Sequence, residues 1–103
     1  MPRLVYTDGA LQDLAGIQLF IHERSGSART AKRFRNRLRA RCTRIARLPQ
    51  IMGRTRTELT EGLRSVTEAN DLIFIRYTDD TLEIVDIVEG SRDFPALFGQ
   101  DEP

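Results

Sequence analysis

Apolar positions recur at spacings of three and four up to about residue 48, and at every second position beyond about residue 60. That change of period predicts helices first and strands afterwards. The stretch from Gly62 to Asp93 is the part the rest is fitted to. Within it Leu63, Ser65 and Thr67 alternate with Arg64, Val66 and Glu68, and Glu68-Ala69-Asn70-Asp71 then supplies residues that accept turn conformations. Leu72 to Tyr77 is β-branched and aromatic, Thr78-Asp79-Asp80-Thr81 is a second turn, and Leu82 to Val88 is another β-branched run. Strands joined by such short loops pair antiparallel, because a parallel crossover needs about a dozen residues or more. A three-stranded meander is therefore predicted.

Ahead of it, Arg3 to Thr7 reads as a short strand with Leu4 and Tyr6 on one side and Val5 on the other. Thr7 or Asp8 can cap a helix, whose stripe is Leu11, Leu14, Ile17 and Ile21, widened by Phe20, and which runs to about Arg24. Ser25-Gly26-Ser27 closes this helix and caps the next. The second helix spans about Ala28 to Leu48 with Ala31, Phe34, Leu38, Cys42, Ile45 and Leu48 on one face, and Pro49 ends it. Pro49 to Glu61 is a polar loop or short irregular strand. After the meander, Gly90-Ser91-Arg92-Asp93 turns the chain, Phe94 to Phe98 offers apolar anchors, and Gln100 to Pro103 is expected to fray. The expected fold is α+β in the order β-α-α-β-β-β. The N-terminal strand and a helical hairpin pack on one face of an antiparallel sheet, and residues 1–103 form a single domain.

Charge changes this picture most. A net charge of +1 conceals 13 Lys or Arg against 3 Asp or Glu in residues 1–57, giving +10, and 3 against 12 in residues 58–103, giving −9. Either the basic part meets a polyanionic or acidic-protein partner, or the two halves neutralise each other in the fold. The segment Arg29 to Arg47 holds nine cations and no acid. At about 100° per residue, Arg29, Arg33, Arg44 and Arg47 point away from the apolar stripe, with Arg35 and Arg41 at its edges.

Other features close off function classes. No run nears the roughly 20 apolar residues of a membrane span, and the first ten residues lack a signal-peptide core. One cysteine, Cys42, excludes an intrachain disulfide, suits a reducing cytoplasm and falls on the apolar side of the second helix. One Cys and one His make no zinc set. No metal or organic cofactor is expected, and the expected location is cytoplasmic.

Several fragments together resemble the RelE/ParE superfamily of bacterial type II toxins, the ParE branch in particular. They are Ala10-Leu11-Gln12-Asp13-Leu14, Ala31 and Phe34, Leu48-Pro49 followed by Gly53-Arg54, and Glu58-Leu59. Gly62-Leu63-Arg64-Ser65, Ile75-Arg76-Tyr77 and Gly90-Ser91-Arg92-Asp93 complete the set, which covers about residues 4–93. One departure is Glu89, where many relatives carry histidine. The resemblance implies a toxin neutralised by a cognate ParD-like antitoxin with an acidic C-terminal segment. For the ParE branch it implies poisoning of DNA gyrase and no catalysis. For the RelE branch it implies ribosome-dependent mRNA cleavage.

Cleavage of RNA by its own 2′-OH needs a base, an acid for the leaving oxygen and a cation for the phosphorane. Here Arg64 matches a family arginine at the scissile phosphate, and Glu58 is the candidate base. Neither has a partner acid in view: His22 and Lys32 lie on the helices, and Tyr77 is read as packing or bonding locally. The expectation is therefore binding, with Arg64 and Glu58 as the site if the chain is a nuclease. Arg64 can equally pair with a cross-strand Glu83 or Asp86. Arg92-Asp93 can equally be a structural turn pair. Arg54, Arg56, Arg64 and Arg92 are the candidate contacts to a target. Arg29, Arg33, Arg44 and Arg47 are the candidate contacts to the antitoxin, whose carboxylates suit guanidinium groups. The helix has only Phe34 as an aromatic, too little for single-strand stacking, and no direct sequence-specific DNA binding is expected.

Overall fold

The computed structural model describes residues 2–68 and 70–90. The expected Arg92-Asp93 pair, the Phe94 to Phe98 anchors and the C-terminal tail lie outside the described residues. The chain runs β1 (Arg3–Tyr6), α1 (Asp8–Ser25), α2 (Ala28–Arg47), β2 (Arg54–Thr55), β3 (Arg64–Glu68), β4 (Asp71–Thr78) and β5 (Thr81–Val88). It is the α+β architecture that the change of period predicts. The strands form one five-stranded sheet of order β1-β5-β4-β3-β2. The meander β3-β4-β5 is antiparallel. One expectation needs correction: β1 pairs parallel with β5, Arg3 opposite Thr81 and Tyr6 opposite Ile84, so the sheet is mixed. The two-helix connection behind β1 is long enough to bring the chain back in the same direction.

Both helices start on their predicted caps. Thr7 Oγ1 accepts from Ala10 N at 3.0 Å and donates to the Val85 carbonyl at 2.8 Å, so one hydroxyl caps α1 and ties it to β5. Ser27 Oγ accepts from Thr30 N at 3.1 Å. Gly26 closes α1 at φ 72°, a left-handed conformation that costs a glycine little.

The α1 stripe turns slightly from the expected one. Ala10, Leu14 and Ile17 are buried, whereas Leu11 is 45% exposed. From α2, Leu38, Cys42, Ile45 and Ala46 join them over Ile73, Ile75, Leu82, Ile84 and Ile87 of the sheet. The opposite face of the sheet carries a smaller cluster, Leu63, Phe74 and Val88, with Leu59, Leu72 and Val85 against it. A bulge lets β5 serve both faces. Phe74 lies opposite Asp86 but Ile75 opposite Ile84, so Val85 is the extra residue. The alternation is thereby reset, which returns Ile87 to the helical side and Val88 to the other. α1 takes up the backbone groups released there: Ile87 N donates to Asp13 Oδ2 at 2.9 Å, and Val85 O receives Thr7.

Candidate functional site

The outer face of α2 is the most strongly charged surface among the described residues. Four of its nine cations have contacts within the fold. Arg41 is half-sunk and ion-paired with Asp71, a carboxylate only 5% exposed at the start of β4. Arg35 donates to Gln18 Oε1 on α1 and to Asn36 Oδ1, both at 3.1 Å. Arg39 lies 4.7 Å from the centre of the Tyr6 ring, and Arg37 4.8 Å from that of Phe34. These four serve the fold or cover aromatic rings. Arg29, Arg33, Arg44 and Arg47, the residues predicted to point outward, are all exposed. They share a sector of about 60° along the helix. Thr30, Arg33, Phe34 and Arg37 line a shallow hollow on this side.

Arg64 does something the sequence does not suggest. It pairs with neither Glu83 nor Asp86; Arg76 takes Glu83, at 3.1 Å. Instead Arg64 Nε donates to the Met52 carbonyl and Nη2 to the Gly53 carbonyl, each at 2.8 Å. Met52 N donates to Tyr77 Oη at 3.0 Å, so the tyrosine reaches across to the loop before β2 while its ring packs against the core. Gly53 sits at φ 88°, and a Cβ there would lie 2.7 Å from the Ser65 carbonyl. The segment between α2 and β2 is thus pinned flush against β3.

The nuclease pair is not assembled. Successive residues of a strand point to opposite faces. Ser65, which receives Arg56 Nε at 2.7 Å, therefore lies on the side away from Arg64. Glu58 is an exposed carboxylate 3.7 Å from Arg56 Nη1. Arg54 is exposed on the edge strand, and His22 is exposed on α1. Arg92 is outside the described residues.

Two partly buried groupings lie apart from the outward row of arginines. Burial raises the Tyr6 hydroxyl and the Cys42 thiol above their ordinary values, and Cys42 is packed within the core. At the β5 bulge, burial raises Asp86 to about 6, aided by the adjacent Asp13. Among the described residues no group of three or more His, Cys, Asp or Glu is placed to hold a metal, and no helix is long and apolar enough to cross a membrane.

The sequence carried signals for some of what reading it missed. Asp71 shares a face with Ile73 and Ile75 by period two, which places a carboxylate beneath a cationic helix. Asp13 lies three residues after Ala10 and four before Ile17, on the flank of the buried stripe. The Arg64 contact had no such signal, because its acceptors are backbone carbonyls.

A strand, a helical hairpin with a cationic outer face and an antiparallel meander define a small α+β domain. The family model of the ParE toxin of type II toxin-antitoxin systems, parDE, matches residues 4–94. The chain belongs to the ParE toxin family. A solved structure described as the chromosomal ParDE TA system from P. aeruginosa superposes with a TM-score of 0.73 at 18% identity, covering 86% of this chain and 96% of that one. At that identity the likeness establishes the fold. No curated protein matches the chain by sequence. Family membership is consistent with a protein that is not an enzyme.

Proposed function

We propose that the protein is a toxin that acts by binding, poisoning DNA gyrase, and that a ParD-like antitoxin neutralises it across the outer face of α2. The observation that carries the reading is how the cations are used. Arg29, Arg33, Arg44 and Arg47 form an exposed cationic row with no acid on the helix, suited to an acidic peptide through paired guanidinium–carboxylate contacts. Arg64, on which phosphoryl transfer would depend, directs Nε and Nη2 to the Met52 and Gly53 carbonyls. Glu58 is exposed beside Arg56, on the side of β3 away from Arg64. Arg54, Arg56 and Arg64 remain the candidate contacts to the target from the described part of the chain.

Purified protein added to a gyrase supercoiling assay and, separately, to cell-free translation tests the reading. Inhibited supercoiling with intact mRNA is expected. Codon-positioned mRNA cuts that vanish in Arg64→Ala would establish the nuclease alternative instead. The antitoxin part has its own check. Reversing charge at Arg29, Arg33 and Arg44 together should slow association with the antitoxin, most at low salt. Unchanged affinity at every salt concentration removes those arginines from the interface.

A further inference from the structure

The corner between α2 and β2 has features that the charge of α2 does not explain. Leu48 and Ile51 are 37% and 62% exposed, and Ile51 is the most exposed large apolar side chain among the described residues. A single exposed isoleucine is ordinary. This one directly precedes backbone held by Arg64 through two 2.8 Å bonds to the Met52 and Gly53 carbonyls, and by Tyr77 through a 3.0 Å bond from Met52 N. The close approach of Gly53 to Ser65 adds a third restraint. The restraints hold Met52 against the core, whereas Ile51 beside it is left mostly in water, where its apolar side chain contributes little to the isolated fold. A contact residue ordered in advance loses less entropy on binding. The corner is also flanked by exposed Arg47 and Arg54, so it continues the cationic face of α2 without a break in the chain.

We propose that Leu48 and Ile51 form a preformed apolar anchor for the antitoxin, gripping a segment in which apolar side chains stand between carboxylates. Arg64 is the positioning residue that holds the anchor in place. The proposal rests on the toxin–antitoxin reading above and specifies where that contact gains its apolar component. The carboxylates face Arg47, at the end of the cationic row, and the apolar side chain covers Ile51.

The test uses the full chain and the antitoxin encoded beside it. Ile51→Asp should leave the melting temperature unchanged, since the side chain is mostly in water, and should weaken antitoxin binding at least 30-fold. Growth arrest should persist and escape neutralisation. Arg64→Ala should slow association. In a double-mutant cycle its effect should largely vanish when Ile51 is already Asp, a coupling that a general loss of stability would not produce. Antitoxin affinity of Ile51→Asp within threefold of the parent, with the parent binding tightly, overturns the proposal. So does loss of growth arrest with antitoxin binding intact, which would assign the corner to the toxin's target. A parent chain that binds no antitoxin would sink the toxin–antitoxin reading as well.

Discussion

Replacing Asp86 by Asn should make the protein more stable at neutral pH and leave it unchanged in mild acid. Asp86 sits at the β5 bulge beside Asp13, whose Oδ2 is already committed to Ile87 N at 2.9 Å. Burial first, then the hydrogen bond and repulsion from Asp13, lift its carboxyl from 3.8 to about 6. Between about pH 4 and 6 the folded protein therefore keeps a proton that the unfolded chain has released. Stability from this group is present below that window and is lost as pH rises through it. Two pH units correspond to about 3 kcal/mol, and the access of Asp86 to solvent reduces this to about 1 kcal/mol. An asparagine cannot ionise and offers Asp13 an amide N–H in place of the shared proton. Urea unfolding followed by circular dichroism at pH 4, 5.5 and 7.5 is the assay. Asp86→Asn should gain about 1 kcal/mol at pH 7.5, or about 4–8 °C in melting temperature, and nothing at pH 4. A gain independent of pH, or a loss at pH 7.5, would refute the reasoning.

Three further outcomes follow from named contacts. Arg41→Met should cost about 3 kcal/mol in urea unfolding, because it strands the buried Asp71 carboxylate without its ion pair. Thr7→Val should cost about 1–2 kcal/mol, since one hydroxyl both caps α1 and bonds the Val85 carbonyl at the bulge. Gly53→Ala should cost about 1–3 kcal/mol through its left-handed φ and its clash with the Ser65 carbonyl. It should also release the Met52 amide, read as faster hydrogen exchange.

Much of the fold was legible because it depends on local rules. Thr7, Ser27 and Gly26 cap and close helices through bonds within a few residues, and the meander follows from period two and short turns. The parallel pairing of β1 with β5 was not legible, because a strand's partner across a helical hairpin depends on packing and not on its own pattern. The bulge at Val85 was hidden for a related reason: Ile84-Val85-Asp86-Ile87-Val88 reads equally well in either phase until Asp13 and Thr7 are brought to it. At the candidate site, the outward row Arg29, Arg33, Arg44 and Arg47 came straight from helical geometry. The Leu48–Gly53 corner did not. Its order comes from Arg64 and Tyr77, which reach it from β3 and β4, and its acceptors are main-chain atoms that composition cannot reveal.

The central claim is that the protein acts by binding gyrase and that an acidic antitoxin undoes the effect. It is tested most directly by gyrase-mediated DNA cleavage, with the protein and then its antitoxin titrated in. Linear DNA should accumulate as the protein is added and disappear as the antitoxin follows. Gyrase left untouched at every concentration, alongside mRNA cut in a translating extract by the parent but not by Arg64→Ala, would contradict it.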